Sequence, residues 1–127
     1  MEATMTIIEA IQRINTVKPN GYEQTQKIAW LNTLDGIIKK EIIDTHEGGE
    51  NVVFNGYKEE TNLTTELLVP APYDDIYIRY LEMQIDYANG EYVKYNNSKV
   101  MYNDTYSAFK RYYNRTHMPK GKKFKFF

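Results

Sequence analysis

A chain of 127 residues with 16 Lys/Arg, 17 Asp/Glu and a net charge of −1 is long enough for one domain with a real core and too short for two. It contains no cysteine, which excludes disulfides, thiolate catalysis and cysteine-ligated zinc. The hydrophobic fraction of 42% and the charged fraction of 26% are ordinary for a soluble fold, and no stretch approaches the roughly 20 apolar residues that span a bilayer.

Met1-Glu2-Ala3-Thr4-Met5 lacks the basic n-region and apolar run of a secretion signal. An intracellular chain is expected, so the sequons at Asn62, Asn96, Asn103 and Asn114 read as accidental. The first apolar-periodic segment is Ile7, Ile8, Ile11, Ile14 and Val17, with Thr4 or Thr6 as N-cap. Lys18-Pro19-Asn20-Gly21 ends it. Asn20 followed by Glu23 reads as a capping-box variant, opening a second helix from about Tyr22 to Asp44 with Ile28, Leu31, Leu34, Ile38 and Ile42 on one face.

Residues 45–72 form a long central loop. His46-Glu47-Gly48-Gly49 breaks the helix, and Asn55-Gly56 between Val52-Val53-Phe54 and Tyr57 is the preferred sequence of a tight hairpin turn. A short β-hairpin over Val52–Lys58 is therefore expected, resting on the helices or on a neighbouring subunit. Loops of this length are often functional, which makes Val52, Val53, Phe54 and Tyr57 candidate contact residues. Pro70 and Pro72 hold Leu67-Leu68-Val69 extended.

A third helix is expected from near Pro72 to Asn89, stopped by Gly90, and a fourth from about Glu91 to His117. The fourth would be roughly 40 Å long. Ten of the twelve tyrosines lie between Tyr73 and Tyr113 at helical steps. Such rings either fill a core with their hydroxyls reaching water or stand in a subunit interface. Gln84 and Lys99 interrupt the stripes where a sealed core would have apolar groups, so Lys99 joins the candidate contact residues. Asp75, Arg79, Glu82 and Asp86 read as a solvated charged stripe.

No phosphate-binding, zinc-protease or serine-hydrolase motif is present. His46 and His117 read as surface histidines. Nothing assembles a nucleophile, a base and an oxyanion donor, so neither an enzyme nor a cofactor is expected. Charge is divided instead: residues 1–104 carry 9 Lys/Arg against 17 Asp/Glu, and residues 105–127 carry 7 Lys/Arg and no acid. The final ten residues mix Lys120, Lys122, Lys123 and Lys125 with Phe124, Phe126 and Phe127. Three readings of this tail stand: an unstructured end, a segment docking on another subunit through Lys122, Lys123, Phe124 and Phe126, or a weak, salt-sensitive and non-specific nucleic-acid contact.

Leu67-Leu-Val-Pro-Ala-Pro-Tyr-Asp-Asp-Ile-Tyr77, Tyr80-Leu-Glu-Met-Gln-Ile-Asp-Tyr-Ala-Asn-Gly-Glu91 and Tyr112-Tyr-Asn-Arg-Thr-His-Met-Pro119 resemble segments of small prophage structural proteins, similar to the head–tail connector (head completion, neck adaptor) proteins of tailed bacteriophages. The likeness covers residues 67–119. It implies a helical, non-enzymatic subunit that rings the portal and joins the head to the tail. Its partners would be portal and tail-side proteins and other copies of itself, with no membrane. It would lie in the virion, and in the host cytoplasm before assembly. Other phage structural roles (tail terminator or completion protein) and a nucleic-acid-binding regulator using the basic tail are the alternatives. The fold expected is mainly α, about four helices over residues 1–117 around a long central loop, followed by a basic-aromatic tail over residues 118–127.

Overall fold

The computed structural model describes residues 4–121, and four α-helices carry most of them. Helix α1 (Ile7–Val17) opens on Thr6, whose hydroxyl accepts from the Glu9 amide while the Glu9 carboxylate accepts from the Thr6 amide at 2.9 Å. This is a full capping box, two otherwise free N–H groups satisfied reciprocally. The box expected at Asn20 and Glu23 does not form. The Asn20 side chain accepts from the Tyr22 amide at 3.1 Å instead, shaping the turn, and Glu23 makes no side-chain cap to α2 (Gln24–Ile38). The expected single helix to Asp44 changes pitch near its end: Lys39–Ile43 is a π-helical turn that keeps Ile42 and Ile43 in the core.

The hairpin expected over Val52–Lys58 is absent, and residues 53–58 run without regular structure. Gly56 does take the left-handed backbone its position asked for, with φ +87°. The Tyr57 amide that follows donates to the Asn32 side chain of α2 at 2.8 Å, so a helix side chain replaces the second strand. The strands that do form are β1 (Thr4–Thr6) and β2 (Glu66–Pro70). They pair antiparallel, Thr4 opposite Pro70 and Thr6 opposite Glu66, with an irregularity between. Leu67 and Val69 alternate inward and are buried, which fixes the register by giving the strand one core face.

Helices α3 (Asp75–Ala88) and α4 (Tyr92–Thr116) are joined by a turn through Gly90 at φ +74°. Contacts place the helix ends. Lys18 pairs with Asp86, the Tyr22 hydroxyl donates to Asn89 at 2.6 Å, and Ser98 donates to Asp86. The end of α1, the start of α2, the end of α3 and the start of α4 therefore share one pole. The β1–β2 pair, the central loop and the end of α4 share the other, where Tyr73 stacks on Tyr112 at 4.6 Å. The helices alternate in direction, up, down, up, down. Helix α3 packs on the other three and buries eight of its 14 residues, whereas α4 buries only Ser98, Phe109 and Tyr113 of its 25. A helix with so few buried positions lies on the outside of the bundle.

Candidate protein-contact surface

Among the described residues five polar or charged side chains, Lys27, Asp35, His46, Asp86 and Ser98, are buried, and each ties one element to another, Lys27 by donating to Asn15 of α1 at 2.7 Å. Asp35 lies between Leu34 and Gly36 on α2 and is 0% exposed. Its carboxylate accepts from the Tyr57 hydroxyl at 2.6 Å, the Tyr77 hydroxyl at 2.7 Å and the Leu68 amide at 3.1 Å. The Tyr77 oxygen in turn accepts from the Val69 amide at 2.7 Å. One carboxylate thus ties the loop, β2 and α3 to α2. Burial pushes Asp35 up to about 6, against the three hydrogen bonds that favour its ionised form. The same burial, with the neighbouring carboxylate, raises the Tyr57 and Tyr77 phenols far above the ordinary tyrosine range, so both stay protonated donors.

Asp86, read from the sequence as part of a solvated stripe, is 0% exposed. Lys18 reaches it at 2.6 Å and Ser98 donates to its other oxygen. Its stripe partners Asp75, Arg79 and Glu82 are half-buried, with Arg79 bridging the two acids. His46 is not a surface histidine either. Its Nδ1 meets the Ile42 carbonyl at 2.5 Å, its Nε2 meets the Asn114 side-chain amide at 2.7 Å, and the Tyr113 ring packs edge-on at 4.9 Å. Backbone bonds clasp the chain beside it, from the Glu47 amide to the Met118 carbonyl and from the Lys120 amide to the Thr45 carbonyl. His117 stacks flat on Tyr113 at 3.8 Å and is half-buried. These groups carry structure. Among the described residues no cluster of three or more His, Asp or Glu is placed to hold a metal ion, and no helix is long and apolar enough to cross a membrane.

The contact candidates are dispersed. Tyr57 is drawn inward by Asp35 and is buried, with the half-buried Phe54 edge-on to it at 5.1 Å. Val52 lines a separate cavity of about 290 Å³ with Ile43, Leu68, Phe109, Tyr112 and His117. Of the four loop candidates Val53 is the exposed one, at 73%. Lys99 is exposed on α4 near the opposite pole, its ammonium 6.0 Å from the Tyr95 ring. Lys122, Lys123, Phe124 and Phe126 lie outside the described residues.

The tyrosines divide. Tyr77, Tyr80 and Tyr113 are buried, while Tyr73, Tyr95, Tyr102, Tyr106 and Tyr112 are half-buried rings packed along the α3–α4 seam. Tyr87 and Tyr92 emerge at the pole where the two helices join. They have company there: Val17, Val93, Val100 and Met101 are exposed on the adjoining parts of α1 and α4. Six of the eight large hydrophobics exposed among the described residues thus gather at one end of the bundle. Sequence reasoning followed the rings and missed the valines. Their signal was present, because Val93 and Val100 are seven residues apart and fall opposite Ser98 and Phe109 on the helix. No family model matches the chain, and no curated protein and no solved structure matches it.

Proposed function

We propose that this chain is a non-enzymatic architectural subunit, a virion protein of the head–tail connector class that assembles as a ring on a portal. The observation that carries the reading is the exposed apolar pole formed by Val17, Tyr87, Tyr92, Val93, Val100 and Met101. Large apolar side chains left exposed toward one end of a small domain mark surfaces that other proteins cover. The interior supports the same reading, since its acids and its histidine are spent on tying elements together. The charge division supports contacts between unlike faces, as a ring requires.

The test is co-sedimentation with portal rings encoded by the same genome. Binding that weakens when residues 45–66 are altered supports the connector reading, and absence of binding overturns it. A second reading is favoured by one observation: Lys110, Arg111 and Arg115 are exposed along the last turns of α4, leading into the basic tail. A nucleic-acid-binding regulator would bind duplex DNA with a steep salt slope that is lost when residues 118–127 are removed.

A further inference from the structure

The outer faces of α1 and α4 carry complementary side chains in the same order from pole to pole. On α1, Val17, Arg13 and Glu9 follow at steps of four and share one exposed face. On α4, Val100, Asp104 and Arg111 share one exposed face in the same way. Heights are set by the contacts each helix makes with α3. The Lys18–Asp86–Ser98 link puts Val17 level with Val100. At the other pole Asp74 borders a groove with Glu9, and its neighbour Tyr73 stacks on Tyr112, beside Arg111. Glu9 and Arg111 therefore both lie toward that pole, about 12 Å along α1 from Val17 and about 16 Å along α4 from Val100, an offset that a long arginine side chain spans, and Arg13 and Asp104 each stand one turn from their valine. From pole to pole α1 reads apolar, positive, negative, and α4 reads apolar, negative, positive.

None of these four charged side chains belongs to an ion pair among the described residues. Val17 and Val100 are 56% and 59% exposed. The α1 face also bounds an open groove of about 640 Å³ lined by Met5, Glu9, Gln12, Arg13, Val17 and Asp74. A helix laid along it would find apolar contact at one end and opposite charges below. Because α1 and α4 run in opposite directions, two copies standing side by side in the same orientation bring these faces together antiparallel, with unlike charges facing each other.

We propose that the α1 groove of one copy receives the outer face of α4 of the next, Val17 against Val100, Arg13 against Asp104 and Glu9 against Arg111. The contact joins two different faces, so each copy keeps one face free and the assembly continues. The exposed charges set register and partner choice more than affinity. This rests on the architectural reading above and supplies the pair of faces that reading needs.

The cysteine-free chain makes the test clean. Val17→Cys and Val100→Cys are introduced separately and together, and a short bifunctional thiol reagent is applied to the concentrated protein alone and in the presence of portal rings. The double variant should give a ladder of linked oligomers, the mixed single variants a dimer, and either single variant alone only background. Adding Arg13→Glu should lower the adduct about tenfold, and further addition of Asp104→Arg should restore it. Circular dichroism checks that each variant is folded. An adduct no stronger than that of a Val53→Cys/Val100→Cys control, linkage of one single variant to itself, or indifference to Arg13→Glu overturns the proposal. If the chain binds portal rings but gives no ladder on them, the face assignment falls and the connector reading stands. If it neither binds nor links, both fall.

Discussion

Replacing Asp35 with asparagine tests the polar node at the centre of the bundle. The buried carboxyl titrates near about 6 in the folded chain against an ordinary value of 3.8, so between those values the native state holds a proton that the unfolded chain has lost. Its contribution to stability is full below the ordinary value, falls as pH rises through this window, and is flat above about 6. A shift of one pH unit corresponds to about 1.4 kcal/mol, so from about pH 7.5 to about pH 4.5 protonation of Asp35 should stabilise the wild-type fold by roughly 2 kcal/mol. Asparagine has nearly the same shape and does not titrate. Carboxylates held low by hydrogen bonds at the surface, such as Glu9 and Glu91, act in the opposite sense, but they are common to both proteins and cancel in the difference. Urea unfolding of wild type and Asp35→Asn at the two pH values should therefore give a stability difference that widens by roughly 2 kcal/mol in favour of wild type on acidification. A difference that does not change with pH, or that narrows in acid, would refute the assignment.

Other substitutions probe the remaining ties. Tyr77→Phe leaves the Val69 amide and an Asp35 oxygen without their partner in the core and should cost about 1–3 kcal/mol by chemical denaturation. Lys18→Ala strands the buried Asp86 carboxylate and should cost about 3 kcal/mol; Asp86→Asn, which removes the charge itself, should cost less, and the reverse order would refute a charge-based role for the pair. A methyl group at Gly49 would sit 2.4 Å from the Ile43 carbonyl oxygen, whereas one at Gly21 meets nothing within 4 Å. Gly49→Ala should thus lower the melting temperature clearly while Gly21→Ala stays within roughly 0.5 kcal/mol of wild type. Val53, exposed on the central loop, can become serine with little change in stability, and any loss of portal binding in that variant reports contact rather than folding.

The helices were legible because their signals are local. Thr6 with the isoleucine periodicity, Pro19 with Gly21, and Gly90 after Asn89 each act within a few residues, and the four helices fall close to where those signals put them. The central loop was misread because its partners are distant in sequence. Asn55-Gly56 carries the turn preference of a hairpin, but Asn32, on another element, takes the backbone bond that a second strand would have made. The true partner of β2 is β1, 60 to 66 residues away, and no local pattern links Thr4 to Pro70. Asp35 could have been found: Ile28, Leu31, Asp35, Ile38 and Ile42 step by 3, 4, 3 and 4, so it stands in the apolar register, where only a hydrogen-bonded acid is tolerated. The burial of Asp86 and His46 depends on Lys18 and Asn114 arriving from elsewhere in the fold, and nothing in their neighbouring residues announces it.

The central claim is that this bundle is a structural joint whose working part is its surface. Its most direct test is to find the chain in assembled particles. Gold-labelled antibody against the chain, applied to purified virions from the host that encodes it and viewed by electron microscopy, should mark the vertex where head meets tail. Absence of label from intact virions and from tailless heads, with the chain recovered only in the soluble fraction, would contradict the account.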